Sequence, residues 1–398
     1  MSPIARDSWQ MANHNASAAL ESASSHGSSC VSLHPWRTRE SLGQLAMLLA
    51  VYQVAVTTCR SRERVVWLLG LVAVNGALLT LFGLVQQFTW NGKLYWFLEL
   101  TQGGAPFASF VNRNNAAGYL NMCLGAAVGL GMGSYVGSRG DSRRHPRSDA
   151  VSSSVWFMWL TVAAFTMAGI FATLSRGGVI AFFIAGVWTT LAVSRCQRGQ
   201  RGTLPVALIM AVAGIAISLW LSSGVTLDDR FEDIWKDNVE SPHGRLTHWR
   251  DALTATTHFL PLGSGLGTYR YVYRAFERGS FPGLYYHAEN QYVEATLELG
   301  IVGGLLALAL AGISILIVHR GLMSAQSSMW FGVAAGSFFA VTSQVIHALS
   351  DFGLYLPANM CLAATWLGVA TVQSRVGAPR AVDDSVGRSS APRRAARL

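Results

Sequence analysis

Residues 297–318 read Leu-Glu-Leu-Gly-Ile-Val-Gly-Gly-Leu-Leu-Ala-Leu-Ala-Leu-Ala-Gly-Ile-Ser-Ile-Leu-Ile-Val, with Glu298 the sole charged side chain. A run of this length and composition can cross the hydrocarbon core of a bilayer as one helix, which takes roughly 20 apolar residues. Working outward, comparable runs lie near 42–59, 65–88, 115–137, 155–174, 178–194, 204–223, 329–350 and 355–373. The whole chain agrees: 398 residues, 51% apolar and only 13% charged, where a soluble domain carries about 25% charge. The expected fold is an all-α polytopic integral membrane helix bundle of about nine transmembrane helices.

Between the sixth and seventh runs lies the one long hydrophilic segment, residues 224–296, expected to form a loop with short helices outside the membrane. Residues 1–41, rich in Ser, Ala and His without the apolar core of a secretory signal, read as a disordered N-terminal tail. Insertion would then rely on the first spanning helix. Residues 42–373 form the membrane domain, and 374–398 a basic tail.

Lys and Arg number 30 against 21 Asp and Glu, and the only lysines are Lys93 and Lys236. In a chain this apolar the basic excess reads as topology by the positive-inside rule, not as nucleic-acid binding. The arginines of short loops gather on alternate sides: Arg60, Arg62 and Arg64, then Arg139 to Arg147, Arg195 to Arg201, Arg320 and the tail. The other side holds Lys93, Arg113, Arg176 and the few arginines of the N-terminal tail. This asymmetry puts the C-terminal tail in the cytoplasm, and the long loop and the N-terminal tail outside.

The sequence has no Walker A motif and no GxGxxG between a strand and a helix, so no nucleotide cofactor is expected. The five cysteines are far apart, with no CxxC pair. In the first outer loop, residues 89–114, Glu99 is the only carboxylate, which argues against a divalent metal there.

Three places can carry chemistry. Arg176, in Leu174-Ser-Arg-Gly-Gly178, sits at an outer helix junction; it is either a snorkelling anchor or a pocket residue, and the two following glycines allow close backbone approach. Arg245 and Trp249, in Gly244-Arg-Leu-Thr-His-Trp249, stand four apart on one face of an expected helix. They are either a surface cation–π pair or an arginine offering its fork to phosphate. The segment Tyr285-Tyr-His-Ala-Glu-Asn-Gln-Tyr-Val-Glu294 brings His287, Glu289, Asn290 and Glu294 to the outer membrane surface. It reads as an aromatic belt with an interfacial histidine, or as a general base with charge-stabilising partners. A metal held by His287, Glu289 and His243 or His248 lacks any fixed ligand spacing.

These segments, in order, resemble the O-antigen ligase and O-antigen polymerase superfamily of bacterial polytopic glycosyltransferases. The resemblance is carried by Phe110-Val-Asn-Arg-Asn-Asn-Ala-Ala117, Ser175-Arg-Gly-Gly178, Arg245 to Trp249 with Pro261 to Gly267, and His287 to Gly303, and extends to His347-Ala-Leu-Ser-Asp-Phe352. The family signature is a His followed by Asn, Ser or Gln, nine residues and Gly-x-x-Gly. Here Asn290, then nine residues, then Gly300-Ile-Val-Gly303 fit the frame, while Glu289 occupies the histidine position and His287 lies two residues earlier. The resemblance implies transfer of a glycan from an undecaprenyl pyrophosphate carrier to an acceptor hydroxyl outside the inner membrane, with no cofactor and no metal. The acceptor would be a lipid-anchored core sugar, a growing carrier-linked glycan or a protein side chain. His287 or Glu289 would be the base, Arg176 and Arg245 the pyrophosphate clamp, and Asn290, Trp249 and Asn114 supporting residues. The rival readings are a transporter or flippase of lipid-linked sugars and an inactive scaffold.

Overall fold

The computed structural model of the protein describes residues 32–100, 104–141, 149–196, 245–278 and 285–376. Among the described residues the regular elements are helical, and β pairing is confined to isolated bridges such as Phe107 with Phe110. The helices are α1 (Pro35–Thr58), α2 (Arg62–Phe88), α3 (Arg113–Asp141), α4 (Asp149–Ala172), α5 (Arg176–Cys196), α6 (Arg245–His258), α7 (Gln291–Met323), α8 (Ser328–His347) and α9 (Pro357–Val376). A one-turn helix, Tyr269–Val272, runs into a 3-10 turn between α6 and α7, and a second 3-10 turn, Gly353–Tyr355, precedes α9.

Local chemistry starts several of these helices. Ser61 caps α2, its hydroxyl accepting from the Arg64 amide, with Glu63 in the first turn. Ser327 caps α8 in the same way through the Trp330 amide. Pro35 opens α1 where its missing N–H costs nothing, and His34 caps it. α1 therefore begins earlier than the apolar run alone suggests, because its first two turns are polar.

Among the described residues, seven helices are long and apolar enough to cross a membrane: α1, α2, α5, α7, α8 and the apolar stretches Arg113–Ser138 of α3 and Ser154–Ala172 of α4. The count of about nine is not reached among the described residues, for two reasons. The expected span at 204–223 lies outside them. The expected span at 355–373 is helical as α9 but is not among the seven; it buries Asn359, Thr371 and Gln373, and a helix packed inside a bundle need not be as apolar as one that faces lipid.

Polarity is distributed as a bilayer requires. α3 and α8 form the buried centre, where Gly125, Gly129 and Gly133 meet Gly332 and Gly336. A side chain on Gly129 would stand 2.9 Å from the Gly332 carbonyl, so the two backbones can approach only without one. The outer helices turn large apolar side chains outward, including Trp67, Leu71 and Leu78 of α2 and Leu305, Leu308, Leu310 and Leu316 of α7. Such surfaces are tolerated in hydrocarbon and not in water. The protein is a multi-pass membrane protein.

One end of the bundle gathers the starts of α1, α3, α5, α7 and α9. There the Leu33 amide donates to the Ser264 carbonyl, Ser175 Oγ bonds Asn114, and the Gln291 amide donates to the Ala348 carbonyl. α7 is broken at this end. Gly300 has φ 66° and ψ −156°, a region open essentially to glycine alone. The break frees carbonyls of the preceding turn, and the loop Pro261–Gly267 captures them: the Ser264 amide donates to Leu297 O (3.0 Å) and the Gly265 amide to Glu298 O (2.8 Å). The glycines of Pro261-Leu-Gly-Ser-Gly-Leu-Gly267 and of Gly300-Ile-Val-Gly303 thus belong to one joint.

Candidate functional site

α6 addresses three consecutive residues of the segment that leads into α7. His248 Nε2 lies 3.3 Å from the His287 carbonyl, Trp249 Nε1 donates to the Ala288 carbonyl at 2.9 Å, and Arg245 Nε donates to Glu289 Oε2 at 2.8 Å. Arg245 and Trp249 do share a helix face, as their spacing predicts, and they use it to grip this segment. His248 is itself wedged between the rings of Tyr273 and Tyr285, with the Tyr269 hydroxyl 2.8 Å from its Nε2. Burial holds its pKa below the ordinary histidine value, an effect partly offset by the His287 carbonyl and by the charges of Glu289, Glu294 and Asp251.

His287 is fixed from three directions. Its Nδ1 lies 2.8 Å from Glu294 Oε1, and its ring stacks against Phe352 at 4.4 Å and Tyr355 at 5.0 Å. The other Glu294 oxygen accepts the Ala288 amide at 2.9 Å, and the Glu294 side chain is 1% exposed. A buried carboxylate that already accepts an amide takes the Nδ1 proton as its second donor, which leaves the lone pair on Nε2. Histidine with a carboxylate behind it can accept a proton from a hydroxyl in front of it.

Glu289 has φ +50°, a left-handed conformation uncommon for a residue with a side chain. That kink turns its carboxylate to Arg245, and the next residue, Asn290, caps α7 by accepting the Tyr292 and Val293 amides. Asn290 therefore has a structural task that by itself accounts for an Asn at this position.

Arg176 and Asn114 form a second group. Arg176 opens α5, and Ser175 caps that helix by accepting the Gly178 amide while its hydroxyl bonds Asn114. Among the described residues no hydrogen bond or ion pair holds the exposed Arg176 side chain. The turn after α8 links this group to the first: a side chain on Gly177 would collide with Ser350, and Phe352 two residues on is the ring beneath His287. Asp351, in the same turn, is 1% exposed and accepts the Gly353 amide. With the Asn115 amide turned to donate, its nitrogen lies 2.9 Å from both Asp351 oxygens. Burial lifts the Asp351 carboxyl to about 7; the Phe352 amide opposes the shift, the Glu289 charge adds to it and the Arg245 charge opposes it.

His243 lies outside the described residues. Among the described residues no group of three or more His, Cys, Asp or Glu side chains is arranged to hold a metal ion.

Glu294 appears in the sequence only as the end of a polar segment, although it stands behind His287. Its signal is positional: an acid in the first turn of an apolar helix, one turn after a capping Asn.

The fold and site define a multi-pass membrane protein with arginines and a histidine–carboxylate pair at one end of its bundle. The family model described as O-antigen ligase matches residues 160–308. The match supports the resemblance to the O-antigen ligase and polymerase superfamily. It spans Arg176, Arg245, Trp249, His287, Glu289 and Asn290, while Asn114 falls before it. No curated protein matches the chain.

Proposed function

We propose that the protein is a membrane glycosyltransferase of the O-antigen ligase or polymerase type. It moves a glycan from an undecaprenyl pyrophosphate carrier to an acceptor hydroxyl at the periplasmic side of the bacterial inner membrane. The observation that carries this reading is the Glu294–His287 pair beside Arg245, inside the stretch that matches the O-antigen ligase model.

In the reaction the acceptor O–H gives its proton to His287 Nε2 as its oxygen attacks the anomeric carbon. The bond from that carbon to the pyrophosphate oxygen breaks, and the pyrophosphate leaves with the electron pair. The charge that develops on it needs donors, and the two supplied here are Arg245, which keeps its terminal nitrogens beyond the Nε bonded to Glu289, and Arg176 at the start of α5. Glu289 then serves to aim Arg245, with His287 as the base. In this scheme arginines carry the counter-charge that a divalent cation supplies elsewhere.

The carrier's isoprenoid chain has a place to lie. An apolar cavity of about 470 Å³ runs between α1, α7, α8 and α9, lined by Leu49, Leu310, Ile317, Val341 and Leu367, and it reaches Gln291 and Tyr292 beside the Asn290 cap. Charge supports this orientation: Arg60, Arg62, Arg64, Arg195, Arg320 and Arg375 lie at helix ends opposite the site, the distribution expected of a cytoplasmic end. A transporter would set its ionisable groups near the bilayer midplane, whereas here they cluster at one end of the bundle, those on the broken α7 included.

The test is a reconstitution of the full-length protein in vesicles with a polyprenyl-pyrophosphate-linked glycan and candidate acceptors. Acceptor-linked glycan and free carrier pyrophosphate, formed with and without EDTA, are expected. Movement of intact donor across the bilayer with no pyrophosphate released would overturn the proposal.

A further inference from the structure

The described parts of the connection between α2 and α3, residues 89–100 and 104–112, have no task in the transfer scheme above, yet they are tightly built. Asn91 Nδ2 donates to the Trp96 carbonyl at 2.8 Å, and the Trp96 indole donates back to Thr89, 3.2 Å from its carbonyl and 2.9 Å from its hydroxyl. Leu94 and Leu98 exchange amide–carbonyl bonds of 2.8 Å. With the Gln86 amide turned to donate, its nitrogen lies 2.9 Å from the Ala108 carbonyl and its oxygen accepts the Tyr95 amide at 2.7 Å. Phe107 fills the notch that Gly83 leaves in α2, where a side chain would collide with it.

This frame holds unusual backbone. Among the described residues five other than glycine have positive φ; Tyr95, Trp96 and Ala108 lie in this loop, and Leu174 in the turn before Arg176. Such conformations persist only where the surroundings impose them. What they impose here is an apolar rim facing outward. Phe97 is 76% exposed and Phe88, at the end of α2, 87%, and Trp90 and Leu98 are exposed as well.

The rim continues a surface already turned to lipid. The outward residues Leu71, Val74, Leu78, Leu81, Val85 and Phe88 follow steps of three and four, so they form one row along α2, and the loop takes over where that row ends. Aromatic rings at the end of a spanning helix belong at the level of the lipid headgroups. A glycan would ask for hydrogen-bonding groups among the rings, whereas Phe88, Phe97 and Leu98 have none and the loop's ion pair, Lys93 with Glu99 at 2.7 Å, is closed on itself.

The loop is also tied to the group formed by Arg176 and Asn114. Gln87 Nε2 donates to the Ala172 carbonyl at 3.1 Å, in the turn that leads to Arg176, and the Arg113 amide donates to the Ala105 carbonyl at 2.8 Å, next to Asn114.

We propose that residues 88–98 form an interfacial hook, lying in the bilayer leaflet on the side of the site between headgroups and acyl chains, and that the hook sets the depth of Arg176. Its partner is the lipid surface itself. The effect on depth rests on the transferase reading above. A pyrophosphate carried on an embedded isoprenoid chain travels at headgroup level, so the arginine that receives it must stand at that level too.

Two measurements on the full-length protein in phosphatidylethanolamine–phosphatidylglycerol vesicles test this. In the first, the photo-crosslinking residue p-benzoylphenylalanine replaces Phe97, or Leu78 of α2 as the lipid-facing control. Illumination should give a phospholipid adduct at both positions. A lipid adduct at 78 with none at 97, or a cross-link from 97 to a second copy of the chain, overturns the proposal. In the second, Trp90→Ser combined with Phe97→Ser should lower kcat/KM for a polyprenyl-pyrophosphate-linked donor about tenfold or more, as expected of a misplaced binding group. The acceptor KM should hold, and Trp90→Phe with Phe97→Leu should restore the wild-type value. An unchanged donor kcat/KM in the serine variant, or an acceptor KM that rises in step, overturns the link to Arg176. If wild type releases no pyrophosphate, the transferase reading has failed, and the cross-linking decides the hook by itself.

Discussion

The Glu294 carboxylate lies 2.8 Å from His287 Nδ1 with one oxygen and 2.9 Å from the Ala288 amide with the other. A single buried acid therefore sets both the ring orientation of His287 and the path of the backbone behind it. Glu294→Gln should keep an acceptor for one of these donors and lose the charge. The expected result is a kcat lowered by about 10²-fold, within the range for disabling a general base, with the donor KM little changed. A donor KM that rises while kcat holds would show Glu294 acting on binding instead.

The joint between the glycine loop and α7 predicts two glycine substitutions of opposite sign. At Gly300 a β-carbon would meet the Pro261 carbonyl at a backbone conformation that only glycine adopts freely, so Gly300→Ala should cost about 1–3 kcal/mol or more. Gly312, further along α7, has nothing within 4 Å of such an atom. Gly312→Ala should be neutral or stabilising by roughly 0.5–1 kcal/mol, as expected for glycine in a helix interior. Thermal melting in detergent compares the two.

His248 predicts how the loop responds to acid. Burial depresses its folded-state pKa, so both states are neutral above the ordinary histidine pKa and its contribution to stability is fully present there. As pH falls below about 6.5 the unfolded chain takes up the proton first, and stability is lost on the way down to the folded-state pKa. Melting curves between about pH 7.5 and 5.5, roughly one unit either side of that value, should show this loss in wild type. His248→Gln, which keeps a polar group toward the Tyr269 hydroxyl, should flatten it.

The helices were legible because the residues that make them are contiguous: runs such as 65–88 and 329–350 declare themselves by composition, and α2 and α8 follow them closely. Boundaries set by polar turns were not. The start of α1 at Pro35 depends on docking to a loop more than two hundred residues away, through Leu33 and Ser264. Glu298 reads in sequence as a blemish in an apolar run, and only the break at Gly300 shows it turned to the Tyr269 amide. The candidate residues were legible as a set, while their pairing was not. Arg245 meets Glu289 and Trp249 meets Ala288 across about forty residues of chain, so nothing local distinguishes Glu289 as a base from Glu289 as the partner of an arginine.

That distinction is what the most direct measurement resolves. Initial rates of glycan transfer from a polyprenyl-pyrophosphate donor would be taken for His287→Ala, Glu289→Gln and Arg245→Ala against wild type. With His287 as the base, His287→Ala should lose about 10²–10⁴ in kcat. Arg245→Ala should fail to release pyrophosphate at a useful rate, and Glu289→Gln should keep turnover within about tenfold of wild type with a raised donor KM, since one charge-assisted contact weakens. A His287→Ala enzyme that turns over like wild type, or a Glu289→Gln enzyme as inactive as His287→Ala, would contradict the account.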